Sequence, residues 1–145
     1  MRKIVFILFI TVSLVSCLKQ KSLSKDDVLS IMDGYFEKTK QSNFNLVESY
    51  YSEEIYKNTS KEKWEELYNK IHLILGSLVS VELESCNVRS EVSTSRSGKY
   101  FILIYNNKYE NGNAKETINL FQPKGSIEIK IIGHNYNSES FLEFK

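Results

Sequence analysis

The stretch GKYFILIYNNKYENGNAKETINLF, residues 98–121, decides the fold. Tyr100 to Tyr109 is almost continuously apolar through Tyr105. Asn111, Gly112 and Asn113 then carry a turn signal, and Lys115 to Phe121 sets Ile118 and Leu120 in alternation with polar residues. Aromatic and β-branched runs on either side of an Asn/Gly turn read as two antiparallel strands of one hairpin. The unbroken run of the first strand predicts that both its faces are covered.

Working outward, Val79, Val81 and Leu83 alternate with polar residues after Gly76, while Cys86 and Val88 fall on the opposite parity. That switch predicts a strand with a bulge near Ser85. Downstream, Pro123, Lys124 and Gly125 form a turn, and Ser126 to about Tyr136 is a fourth strand with Ile127, Ile129 and Ile131 on one face.

Before Gly76 the period is helical. Ser24 with Asp27 makes a capping box, and Val28, Ile31, Met32, Tyr35, Phe36 and Thr39 recur at spacings of three and four. Phe44 to Tyr51 suggests a short second helix ending before Asn58. Thr59 with Glu62 makes another capping box, and Trp64, Leu67, Tyr68, Ile71, Ile74 and Leu75 continue at helical spacing to Gly76, a carboxy-terminal stop. Helices set apart from an antiparallel meander specify an α+β domain, with amino-terminal helices packed on a curved four-stranded antiparallel sheet. The mouth of such a sheet is where a ligand would go.

The amino terminus has a different character. Arg2 and Lys3, an apolar run from Ile4 to Val15 and small Ser16 before Cys17 have the layout of a secretory signal peptide. About twelve apolar residues are too few to span a bilayer, which takes roughly twenty. The quartet Leu14, Val15, Ser16, Cys17 resembles the lipobox of bacterial lipoproteins. That resemblance implies cleavage before Cys17, a diacylglycerol on its sulfur and a further acyl chain such as palmitate on the new amino terminus. The implied organisation is a signal peptide over 1–16, a lipidated cysteine and tether over 17–23, and a single α+β domain over 24–145. The resemblance places the protein in the bacterial cell envelope, membrane lipid being its partner through Cys17. Leu18 and Lys19, with no aspartate after the cysteine, point to the outer membrane by similarity to enterobacterial sorting.

Composition narrows the partners. The leader holds two of the nineteen basic residues and none of the eighteen acidic ones, which leaves the rest of the chain at a formal charge of minus one. No electrostatic footprint for nucleic acid is present. With Cys17 acylated, Cys86 stands alone, so no intramolecular disulfide is expected. His72 and His134 are the only histidines, sixty-two positions apart, with no metal-binding spacing. His72 is expected to decorate the third helix and His134 to end the fourth strand. Neither a metal nor another cofactor is expected.

The order of elements is similar to the cone-shaped nuclear transport factor 2-like superfamily, also described as a cystatin-like fold, which includes ketosteroid isomerase. Trp64, the run Leu75, Gly76, Leu78, Val79, Gly98 and Tyr100 in GKYFILIY, Glu116 in NAKETINLF and Gly133 in IIGHNY resemble the exported domain-of-unknown-function family numbered 4019. Where that family usually carries a tryptophan shortly before the last-strand glycine, this chain has Ile129 in that region. The superfamily hosts enzymes, binding modules and assembly domains, so its fold implies no activity. Face-to-face pairing of its open sheets makes a homodimer one expectation.

Glu116 shares a strand face with Ile118 and Leu120, and a carboxylate in an apolar pocket suits general acid or base work. The isomerase resemblance implies a tyrosine partner, for which Tyr100, Tyr105 and Tyr68 are candidates. An isomerase- or dehydratase-like activity is one expectation; pairing of Glu116 with Lys99, Arg89 or Arg96, or a place at the solvated rim, is the plainer one. Trp64, Tyr68, Tyr105 and Glu116 are the candidate ligand-binding residues, set against the alternative that the aromatics are simple core. A non-enzymatic domain that binds a small apolar molecule or an envelope protein leads these readings, with an immunity or inhibitor lipoprotein as a further alternative.

Overall fold

A computed structural model describes residues 22–57 and 59–143. In chain order these form α1 (Lys25–Thr39), α2 (Phe44–Val47), two short 3-10 segments at Glu48–Tyr50 and Glu53–Lys57, and α3 (Lys61–Leu75). Then follow β1 (Leu78–Val92), β2 (Ser97–Tyr109), β3 (Gly112–Pro123), β4 (Lys130–Asn137) and a single carboxy-terminal turn, α4 (Ser140–Glu143). The strands make one antiparallel sheet in the order β1-β2-β3-β4. The architecture is mixed α+β. The leader, Cys17 and Asn58 lie outside the described residues.

Hydrogen-bonded caps start two of the helices where the sequence places them, within a residue. Ser24 and Asp27 form a reciprocal capping box at α1. At α3 the cap is Ser60, one residue later than Thr59, its hydroxyl accepting from the Lys63 amide at 3.4 Å. Gly76 ends α3 at a φ of 76°, the left-handed region that glycine enters without a Cβ penalty. That stop is fastened to the hairpin tip: Asn111 donates its backbone N–H to the Leu75 carbonyl at 2.8 Å, and the Ser77 amide donates to the Glu110 carboxylate at 2.9 Å.

Tyr109 pairs with Gly112, so the β2–β3 turn is the two residues Glu110 and Asn111, and β3 begins earlier than Lys115. The bulge expected near Ser85 is present as a register shift between Leu83 and Ser85. The fourth strand starts at Lys130 rather than Ser126. Ile127 lies before it and is 69% exposed, so of the three isoleucines only Ile129 and Ile131 join the core. A second shift, between Asn119 and Leu120, matters more. It places Gly133 opposite Asn119 and Ile131 opposite Leu120, leaving Ile132 as the extra residue.

Strand alternation sets the core. Phe101, Leu103, Tyr105, Asn107 and Tyr109 of β2 point inward, as do Ala114, Glu116, Ile118, Leu120 and Gln122 of β3. They meet Val28, Met32, Tyr35 and Phe36 of α1, Phe44 and Val47 of α2, and Tyr68, Ile71 and Leu75 of α3. The outward face of β2 is half-buried rather than fully covered: Ile102 and Ile104 retain partial exposure. Three of the ten inward strand positions are polar, and two of them, Asn107 and Glu116, build the site.

Candidate functional site

Glu116 sits at mid-β3, opposite Tyr105 on one side and Tyr136 on the other, with no solvent exposure. A carboxylate so buried has to be surrounded by donors. One oxygen, Oε1, accepts from Asn107 Nδ2 at 2.8 Å and from the Tyr109 hydroxyl. The other, Oε2, takes the N–H of His134 Nε2 at 3.0 Å. The expected apolar pocket is therefore a polar cradle inside an apolar shell. Its tyrosine is Tyr109 rather than Tyr100, Tyr105 or Tyr68. The plainer expectation also fails, since Arg96 pairs with Glu54 at 3.0 Å and lies over the Phe121 ring at 4.1 Å.

His134 lies within β4 rather than at its end, and its side chain is wholly buried. In the tautomer that donates from Nε2 to the carboxylate, Nδ1 is left as an acceptor. The Tyr51 hydroxyl stands 2.9 Å from that nitrogen, and the Tyr35 hydroxyl stands 2.9 Å from Tyr51. A chain of hydrogen bonds thus runs from Asn107 and Tyr109 through Glu116 and His134 to Tyr51 and Tyr35. Tyr136 stacks on His134 with ring centroids 4.3 Å apart. Burial first, then neighbouring phenols and the charge of Glu116, hold Tyr35, Tyr51 and Tyr136 well above the ordinary phenol range. Burial likewise raises Tyr68 to about 12, with Thr39 opposing the shift.

His72 is the second histidine of the interior. It is 5% exposed rather than a surface decoration, packs against Tyr68 at 4.3 Å and Tyr109 at 5.9 Å, and neither ring nitrogen has a hydrogen-bond partner among the described residues. Burial, partly offset by the charge of Glu116, lowers its pKa to about 4.

Beside the network lies a cavity of about 430 Å³ between α3 and β4, lined also by Phe141 of α4. Trp64, Leu67, Tyr68, Lys70, Ile71 and Ile74 of α3 line one wall, and Tyr51, His134, Asn135 and Tyr136 the other. Of the four residues expected to bind a ligand, Trp64 and Tyr68 line this cavity. Tyr105 does not: its ring packs edge-on against Phe36 at 4.7 Å. Glu116 lies behind His134, one layer removed. Tyr51, Asn135 and Tyr136 carry no sequence motif, and only tertiary packing identifies them.

The polar atoms of the network face one another rather than the cavity. Both oxygens of Glu116 and both ring nitrogens of His134 are engaged, whereas the Trp64 indole N–H and the Tyr68 and Tyr136 hydroxyls, on residues that line the cavity, have no hydrogen-bond partner among the described residues. Among the described residues no group of three or more His, Cys, Asp or Glu side chains is placed to hold a metal, and no helix is long and apolar enough to cross a membrane. No family model, curated protein or solved structure matches the chain.

Proposed function

We propose that this is a lipid-anchored protein of the bacterial cell envelope whose domain, a cone of the nuclear transport factor 2-like kind, binds a small and largely apolar molecule. One observation carries the reading: a cavity of about 430 Å³ walled by Trp64, Tyr68, Ile71, Ile74, Tyr136 and Phe141. Its volume lies in the range of small-molecule sites, about 300–1,000 Å³, which are mostly apolar with a few polar groups. The closed hydrogen-bond network favours binding over catalysis. A general base needs a lone pair within reach of the substrate, and those of Glu116 and His134 are held by protein donors.

Ser22 and Leu23 fit the anchor reading. The Leu23 amide donates to Gln122 Oε1 at 3.3 Å, and Lys99 Nζ reaches the Leu23 carbonyl at 3.4 Å. The chain is therefore held to the domain at Leu23, six residues after Cys17.

Two measurements test the proposal. Metabolic labelling with radioactive palmitate is expected to mark the protein and to be lost in Cys17→Ala; label that survives the substitution refutes the anchor. Trp64, the single tryptophan, reports on the cavity. Titrating the vesicle-held protein with decanol is expected to shift Trp64 emission to saturation. An unchanged spectrum, with calorimetry also silent, refutes the binding site.

A further inference from the structure

The polar atoms around the cavity divide into those already paired and those left over, and the second set specifies the ligand more closely. Both oxygens of Glu116, both ring nitrogens of His134 and the hydroxyl of Tyr51 are hydrogen-bonded. The Trp64 indole N–H and the hydroxyls of Tyr68 and Tyr136 are buried without a partner among the described residues, and all three residues line the cavity. Thr39 lies beside the Tyr68 hydroxyl and Tyr35 beside that of Tyr136, yet neither closes a hydrogen bond. Trp64 and Tyr68 stand one turn apart on α3, and Tyr136 belongs to the opposite wall on β4. Both phenols feel the charge of Glu116, which puts them on the network side of the cavity.

All three offer hydrogens. An indole N–H can only donate, and a phenol whose titration burial pushes upward is an O–H at neutral pH. A buried donor without a partner is costly, and a ligand atom that brings lone pairs removes that cost on binding. An alkane brings none. A carboxylate brings them with a charge that would be buried near the carboxylate of Glu116. An alcohol adds one more donor to a site already rich in them, whereas a carbonyl oxygen carries two lone pairs and no hydrogen. Resting on the binding site proposed above, we infer that the ligand is an uncharged amphiphile that buries a carbonyl oxygen, as an acyl ester, amide or ketone does, against Trp64, Tyr68 and Tyr136. Its hydrocarbon chain lies along Ile71, Ile74 and Phe141.

The test uses a matched pair of probes, methyl nonyl ketone and the analogue in which C=CH2 replaces C=O. Both are titrated by Trp64 emission into the full chain held in dodecyl maltoside micelles, whose head has no carbonyl, with protein-free micelles subtracting partition. The comparison is between the wild-type chain and the double variant Tyr68→Phe with Tyr136→Phe. Because neither hydroxyl has a hydrogen-bond partner, the variant keeps the fold, which circular dichroism checks. The ketone is expected to bind at least about fivefold more weakly to the variant, the loss of two hydrogen bonds, while the alkene changes by less than about twofold. Ketone affinity unchanged in the variant, both probes weakened alike, or decanoate binding more tightly than the ketone overturns the inference and leaves the apolar site standing. Failure of every probe to bind the wild-type chain overturns the site itself.

Discussion

His72 makes stability depend on pH in a way that its burial fixes in sign and size. In the unfolded chain a histidine has a pKa near 6.5, whereas in the fold burial lowers that of His72 to about 4. A depressed base costs nothing where both states are neutral, above about pH 7. Below that the unfolded chain takes up a proton that the folded chain refuses, so stability falls as pH falls. The loss grows between the two pKa values, to about 2 kcal/mol at pH 5 and about 3 kcal/mol at pH 4, one pKa unit being about 1.4 kcal/mol. Below about pH 3 the term is constant. The assay is urea unfolding followed by Trp64 fluorescence at pH 7 and pH 5, for the wild-type chain and for His72→Leu, which keeps an apolar group between Tyr68 and Tyr109. All other groups are shared by both proteins and cancel to first order in the difference. The wild-type chain should lose about 2 kcal/mol more than the variant between the two pH values. Equal losses, within about 0.5 kcal/mol, would show that the folded interior protonates His72 freely and that the burial argument is wrong.

Glu116→Gln leaves three donors facing an amide that can accept only through its oxygen, so urea unfolding should show a loss of about 2–4 kcal/mol; a loss below 0.5 kcal/mol would mean that the cradle contributes little. Gly98→Ala drives a Cβ into the Gln122 carbonyl oxygen and to 2.7 Å from the Phe121 ring. Backbone must move to admit it, and a drop of more than 2 kcal/mol is expected by the same unfolding measurement, against near-neutrality if the strands spread freely. If Cys17 holds the chain to lipid, the five residues to Ser22 span at most about 18 Å. Amine-reactive labelling of vesicle-bound protein should then find Lys124 and Lys99 slower than Lys70 relative to detergent-solubilised protein, and an unchanged order of rates would contradict that orientation.

The backbone was legible in residues 98–121 because alternation and a turn are local properties. Glu116 was found on the core face by the same count. Asn107 obeyed the identical parity among Phe101, Leu103, Tyr105 and Tyr109 and could have been found with it. His134 could not. Counting by twos from Ile129 and Ile131 puts position 134 on the outer face, and the extra residue Ile132 restores it to the inner one. A bulge is a property of a strand pair, so no single strand announces it. Tyr35 and Tyr51 read as members of apolar stripes, which they are. Their hydroxyls meet His134 only because α1, the 3-10 turns and β4 converge on one point. His72 was hidden for a related reason, since a histidine on a helix between Ile71 and Leu73 carries no sign of which way the helix is turned.

The two ends of the sheet divide the work. At the end where Gly98 pairs with Pro123, the entering chain is pinned by Gln122 and Lys99. At the other, where Tyr109 pairs with Gly112, Ser138 donates to the Asn113 carbonyl at 2.6 Å and sets α4, with Phe141, across the cavity. Nine residues of β3 separate Asn113 from Gln122, about 30 Å at the rise of a strand. If Cys17 carries lipid, a tether of at most about 18 Å attached at the first end would hold the Phe141 end of the cavity away from the bilayer. With that anchor, a ligand entering there would come from the aqueous side rather than from the membrane that carries the lipid. The closed network of Glu116, His134, Tyr51 and Tyr35 belongs to the same logic. It ties β4 to α1 through the hydrogen bonds from His134 to Tyr51 and from Tyr51 to Tyr35, and so braces the far wall of the cavity.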